Sequence, residues 1–142
     1  MLRQAVFSDV SEIQRIRRSV RENRLVSTSI SDRQVRESIE KTGRGWVIES
    51  EGQVVAFAIG NAANGNVWAL FVHPDFEGRG FGRALQTAML DWYFRQKDYV
   101  WLGTAPGTRA EKFYRASGWR EHGMHGNEIK FSMNGKEWSA VR

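Results

Sequence analysis

Apolar residues return at helical spacing twice near the start of the chain. After Ser8 and Asp9, both cap-type residues, Val10, Ile13, Ile16 and Val20 fall on one stripe, which predicts a helix over 9–24. "LVSTSIS" (25–31) loses the period and reads as a loop. Ser31 followed by Gln34 is a capping-box pair, with Val35 and Ile39 on one face beyond it, so a second helix covers 32–41 and stops at Gly43. The pattern then changes. "WVIES" (46–50) and "QVVAFAIGNA" (53–62) are β-rich runs joined at Glu51-Gly52, a tight-hairpin pair. "NAANG" (61–65) turns the chain into a third run, "NVWALFV" (66–72), which Pro74 ends, and "LRQA" near the N-terminus is a short opening strand.

Helical spacing resumes with Phe81, Ala84, Leu85, Ala88, Met89 and Trp92 on one side and Arg83, Gln86, Thr87, Asp91 and Arg95 on the other. "YVWLGTA" (99–105) is a strand closed by Pro106. Thr108 and Glu111 form a second capping box, Ala110, Phe113 and Tyr114 follow, and Gly118 has the C′ place after the helix. "WREHGM" (119–124) and "EIKFSM" (128–133) make a closing hairpin. The order β-αα-βββ-α-β-α-ββ predicts the α/β class. It implies a mixed, mostly antiparallel sheet with helices on both faces, in one domain over 1–142.

Composition narrows the function classes. Hydrophobic content of 41% and aromatic content of 12% exclude a disordered chain. The absence of cysteine excludes disulfides and thiolate metal sites, and no metal is expected. No apolar run approaches the ~20 residues of a membrane span, and "MLRQAVFSDV" lacks the apolar segment of a secretory signal. A soluble, cytoplasmic protein with no membrane partner is expected. The net charge of +5 draws on Arg15, Arg17, Arg18, Arg21 and Arg24, within the first helix and its end. That cluster reads as a solvated helix face or as a polyanion contact. With no RNA-binding motif of the usual kinds, nucleic acid is not expected as a partner.

"HPDFEGRGFGRAL" (73–85) carries the chemistry. Gly78, Gly80 and Gly82 stand at the mouth of a helix. The first amides of a helix lack intrahelical partners and carry the positive end of its dipole. Residues without Cβ let an anion approach them closely, and phosphate or pyrophosphate suits such a site. A P-loop would need Gly-Lys-Ser/Thr, which Gly82-Arg83-Ala84 is not. The dinucleotide fingerprint fails because its third glycine would fall at Arg83.

"WALFVHPDFEGRGFGRAL" resembles the acyl-CoA motif of the GNAT family of N-acetyltransferases, usually Gln/Arg-x-x-Gly-x-Gly/Ala after a strand and a V-x-P connection. "GTRAEKFYRASGW" (107–119) is similar to the family's late helix, and the element order matches along essentially the whole chain. The resemblance implies a GNAT fold with the 66–72 and 99–105 strands splayed into a cleft. It implies acetyl-CoA as cosubstrate, its pyrophosphate held at Glu77, Gly78, Arg79, Gly80, Phe81, Gly82 and Arg83. The backbone of Leu70, Phe71 and Val72 is expected to pair with the pantetheine arm, the Val72 amide to meet the thioester carbonyl, and Arg109 and Phe113 to complete the cofactor site.

The same resemblance implies that Tyr114 is the general acid for the departing thiolate. It places Asn66 where some members carry a glutamate base, and Asn66 cannot accept a proton. Water, Glu128, His125 or His122 then remain as bases, unless the amine binds in its minor neutral form. Glu77 departs from the usual Gln or Arg, and Arg79 or solvent is expected to offset its charge near pyrophosphate. Trp68 alternates with Leu70 on one strand face and is a candidate, with Asn66, for the acceptor pocket. The implied reaction is acetylation of a primary amine on a small molecule, peptide or protein by direct attack in a ternary complex. A non-catalytic acyl-CoA sensor and an acetyltransferase for an RNA-linked amine are the alternatives. A homodimer through the C-terminal strands is open by analogy.

Overall fold

Reciprocal capping starts the second helix as the sequence predicts. Gln34 N–H donates to the Ser31 hydroxyl at 3.1 Å, and Ser31 N–H donates to the Gln34 side chain at 2.7 Å. A computed structural model describes residues 1–20 and 30–142. Its helices are α1 (Val10–Ser19), α2 (Asp32–Glu40), α3 (Phe81–Tyr93), α4 (Arg109–Ala116) and α5 (Gly135–Val141). Its strands are β1 (Leu2–Gln4), β2 (Gly43–Ser50), β3 (Gln53–Asn61), β4 (Val67–Val72), β5 (Val100–Thr104), β6 (Arg120–His125) and β7 (Glu128–Met133).

The strands form two antiparallel sheets, ordered β1-β2-β3-β4 and β5-β7-β6. One parallel bridge, Asn66 with Trp101, joins them. α1 and α2 pack Ile13, Ile16 and Val35 on one face, against Val47, Phe57 and Ile59. α3 packs Leu85, Met89 and Tyr93 on the other, against Trp46, Ile48 and Ala58. Alternation along β3 breaks at Val55, where the register with β2 shifts and two successive residues, Val55 and Ala56, face α3. An extra residue in one strand does this, because it displaces the side-chain period by one.

Several expectations need correction. The first helix ends at Ser19 rather than 24, since Val20 is extended. Arg21, Arg24 and most of the 25–31 loop lie outside the described residues. β2 begins at Gly43, three residues early. On α3, Ala84 is exposed, while Gln86 is buried because its Oε1 accepts the Trp119 indole N–H at 2.9 Å. The second capping box is only half formed. Thr108 caps Glu111 N–H, but the Glu111 carboxylate accepts from Gly107 N–H instead. α5 was not expected; Asn134 and Glu137 give it a reciprocal cap, and Trp138 anchors it in the core. Nor is the arginine cluster of helix one wholly a solvated face. Arg17 is buried, and Arg15 donates to the Val54 carbonyl at 2.9 Å.

Candidate active site

β4 and β5 touch at one end and part at the other. At the closed end Trp101 N–H donates to the Gly65 carbonyl at 3.0 Å and Asn66 Nδ2 donates to the Trp101 carbonyl at 3.4 Å. Beyond this point no pairing between the two strands occurs among the described residues. The cause is local. Ile59 pairs with Ala69 but Gly60 pairs with Val67, so Trp68 is an extra residue that bends β4. His73 N–H bonds the Val55 carbonyl at 2.8 Å, which makes Ala56–Val72 a pair without hydrogen bonds of its own. The main-chain groups of Val72, and by alternation those of Leu70, therefore face the gap, whereas those of Phe71 face β3.

The bulge also moves Trp68. It packs with Ala69 and Phe71 on the α1–α2 face, while Leu70 packs on the α3 face. Trp68 and Leu70 do not share a strand face as alternation predicted, though both line the cleft that opens between the sheets. This cleft measures about 1490 Å³.

One wall of the cleft is the start of α3. Pro74–Phe76 form a 3-10 turn, with His73 Nδ1 accepting from Asp75 N–H at 3.1 Å. The loop that follows needs glycine, since Gly78 and Gly80 have φ of 77° and 83°. Gly80 is the N-cap of α3 and supplies no side-chain cap, so the first amides of the helix keep their donors. Gly78, Gly80, Phe81, Gly82 and Arg83 line the cleft. Arg79 is not on the lining, and its guanidinium lies over the Phe76 ring at 4.7 Å. The partner of Glu77 is Arg109 at 2.6 Å, not Arg79, so the first residues of α4 are tied to the glycine loop. No local signal in the sequence pairs residues 32 positions apart in this way.

The opposite wall is α4. Phe113 lines the cleft facing Gly82, where a Cβ would lie 3.5 Å from its ring. Tyr114 is buried among Phe113, Trp119 and Phe131. Burial pushes its phenol well above the usual tyrosine range, so it holds its proton at neutral pH. The hydroxyl has no hydrogen-bond partner among the described residues, yet it is not sealed, and Tyr114 lines the cleft.

On the α1–α2 side the lining is apolar, with Ile13, Val35, Phe57 and Ile59, plus the buried guanidinium of Arg17. Arg17 Nε donates to Gln14 Oε1 at 2.9 Å, and burial lowers its pKa. Asn66 and Glu128 also reach the cleft. His122 and His125 do not line it, and His122 Nε2 is bonded to the Ser132 hydroxyl at 2.5 Å. Tyr93, not singled out in the sequence, donates its hydroxyl to the carbonyls of Asn61 and Asn66 at 2.9 and 3.0 Å and so fixes the start of β4.

Residues 8–119 match the model of the acetyltransferase (GNAT) family. The chain belongs to the GNAT family. No curated protein matches its sequence. Solved structures share the GNAT fold at low identity. A PaiA N-acetyltransferase from Thermoplasma acidophilum, in complex with coenzyme A, has a TM-score of 0.80 at 10% identity, over 94% of this chain and 98% of that one. A ribosomal-protein-alanine N-acetyltransferase from Brucella melitensis has a TM-score of 0.74 at 20% identity, over 94% and 98%. The spermidine/spermine N-acetyltransferase SpeG from Vibrio cholerae has a TM-score of 0.69 at 18% identity, over 99% and 97%. This GNAT chain has no helix, among the described residues, long and apolar enough to cross a membrane. No group of His, Asp and Glu among them is placed to hold a metal ion.

Proposed function

We propose that this GNAT protein, acting as one domain over residues 1–142, transfers the acetyl group of acetyl-CoA to a primary amine on a small molecule or peptide. The observation that carries the reading is the Tyr114 hydroxyl, which bonds no described residue. It opens into a cleft that also holds the uncapped start of α3 and the free edge of β4. The amides at Phe81, Gly82 and Arg83 suit a pyrophosphate, since they combine unbonded donors with the helix dipole. Gly78 and Gly80 keep side chains out of its way. Leu70 and Val72 offer main-chain donors and acceptors to the amides of the pantetheine arm, as an added strand would use them. The Thermoplasma relative with coenzyme A bound supports that choice of cosubstrate.

Chemistry follows from the same layout. The acceptor nitrogen attacks the thioester carbon, and the Val72 N–H stabilises the oxyanion that forms. The C–S bond breaks as Tyr114 protonates the thiolate. Direct attack suits a chain with no cysteine to carry the acetyl group. Relatives named for a protein alanine and for polyamines make an alanine-initiated peptide and spermidine the first acceptors to try. The test is thiol release from acetyl-CoA with these two and with arylalkylamines, and mass spectrometry of the products. An amine gaining one acetyl group per thiol released supports the reading. Tight acetyl-CoA binding without acetylation of any amine would favour a sensor role.

A further inference from the structure

Asn66 leaves the first strand position of the cleft without a proton acceptor, and the cleft supplies one elsewhere. A Cβ built on Gly103 of β5 would lie 2.7 Å from Glu128 Oε1. The absent side chain at Gly103 therefore leaves room for the Glu128 carboxylate to lie across β5. Gly103 and Glu128 both line the cleft, on the lining shared with Tyr114.

Glu128 is also unlike the other carboxylates. Glu77, Asp91, Glu111 and Glu137 hold Arg109, Arg142, Arg115 and Arg120, and the remaining half-buried or buried acids are likewise ion-paired. Among the described carboxylates Glu128 alone is half-buried with its side chain in neither an ion pair nor a hydrogen bond. The charged groups around it are already engaged or turned away. Lys130, two residues on, places Nζ 5.3 Å from the centre of the Trp101 ring. His125, opposite in register, is exposed and off the lining. Arg17 and Lys112 lie elsewhere on the lining without reaching it. A carboxylate withdrawn from water with no cation beside it is unfavourable unless something positive completes it.

Resting on the acetyltransferase reading, we infer that Glu128 receives the acceptor's ammonium group and takes its proton, in the place Gly103 keeps clear. The acceptor class is then a cationic primary amine. Protons balance as follows. R–NH3⁺ gives one proton to the Glu128 carboxylate, and R–NH2 attacks the thioester, forming C–N. The C–S bond breaks and the thiolate takes the Tyr114 proton. The nitrogen's surplus proton returns to the Tyr114 oxygen, and Glu128 releases its proton to solvent. The products are R–NH–acetyl, coenzyme A and H⁺.

The experiment follows the Glu128 side-chain carboxyl by carbon NMR in coenzyme A-loaded protein, titrated with spermidine and with an alanine-initiated peptide. The resonance is expected to move saturably with at least one of them. Glu128→Gln should bind that amine about tenfold or more weakly and lose about 100- to 10,000-fold in kcat, the range for one proton-transfer group. Gly103→Ala, which keeps the charge but displaces the carboxylate, should show the same direction of change. Acetyl-CoA affinity should stay constant in both variants. A Glu128 resonance unmoved by both amines, or a Gln variant with unchanged amine binding and turnover, overturns the inference. Failure of the wild-type protein to bind acetyl-CoA would instead overturn the proposed function.

Discussion

The Asn66 side chain and the Trp101 carbonyl join the two sheets at the closed end of the cleft. Asn66 Nδ2 donates across the bridge at 3.4 Å, and the Trp101 indole N–H returns to the Asn64 carbonyl at 3.1 Å. The sequence marks Asn66 only as the position where some family members carry a glutamate base. In the structure it is a half-buried donor facing a carbonyl. Asn66→Glu therefore sets oxygen against oxygen and should cost about 1–3 kcal/mol, the range for a hydrogen bond lost with its partner left unpaired. Thermal unfolding of the variant should show a lower Tm and no gain in activity.

Tyr114→Phe removes a hydroxyl that bonds no described residue, so it orphans nothing. Stability and acetyl-CoA affinity should barely change. Turnover should fall about 10- to 10,000-fold if the phenol protonates the thiolate. Full activity with chemistry rate-limiting would remove Tyr114 from the mechanism.

Gly82→Glu tests the phosphate wall. A Cβ there meets the Phe113 ring only at ordinary contact distance, so the fold should hold. A carboxylate beside the first amides of α3 would compete for the phosphate position. Calorimetry should find acetyl-CoA binding abolished in a folded protein. Wild-type affinity in that variant would show that the loop does not hold the phosphates.

Much of this was legible in the chain. The Ser31 cap, the β2–β3 hairpin and the Gly78–Gly82 loop are local patterns, decided by residues within a few positions of each other. What escaped is long-range. Gln86 looks solvent-facing until Trp119 supplies an indole donor 33 residues away. Arg109 pairs with Glu77 only because α4 and the glycine loop meet across the cleft. The Trp68 bulge is a mismatch between two strands and leaves no mark on one of them alone. Glu128 was one of several equal bases in the sequence, and only the space over Gly103 sets it apart.

Glu77→Gln removes the ion pair with Arg109, whose side chain is 72% exposed. Exposed pairs contribute at most about 1 kcal/mol, so stability should change little. Acetyl-CoA should bind as well or a few-fold more tightly, because a negative group leaves the phosphate loop. Weaker binding would mean that Glu77 holds the loop in shape.

Asp9 predicts an acid-sensitive fold. The Arg3 guanidinium, bonded to both its oxygens at 2.8 and 2.9 Å, holds its carboxyl below the usual range, and the Val6 N–H adds to this against the opposing effect of burial. The unfolded carboxyl titrates near ~3.9, so the unfolded state binds the proton first. The pair's stabilisation is complete above that pH and is lost as pH falls through the lower folded value. Asp9→Asn should cost about 1.5–3 kcal/mol at neutral pH, the range for hydrogen bonds to a charged group, and flatten the stability curve below pH ~4. An acid limb unchanged by the substitution would place the sensitive group elsewhere.

Single turnover tests the whole account. Protein loaded with acetyl-CoA is mixed with the best amine of the panel, and free thiol, acetylated amine and acetylated protein are quantified together over time. Direct transfer in the cleft predicts that thiol and acetylated amine appear at one rate and in equal amounts, that omitting the amine suppresses both, and that no acetyl group rests on the protein. Thiol released ahead of the amine product, or an acetylated protein formed and consumed on the same timescale, would contradict it.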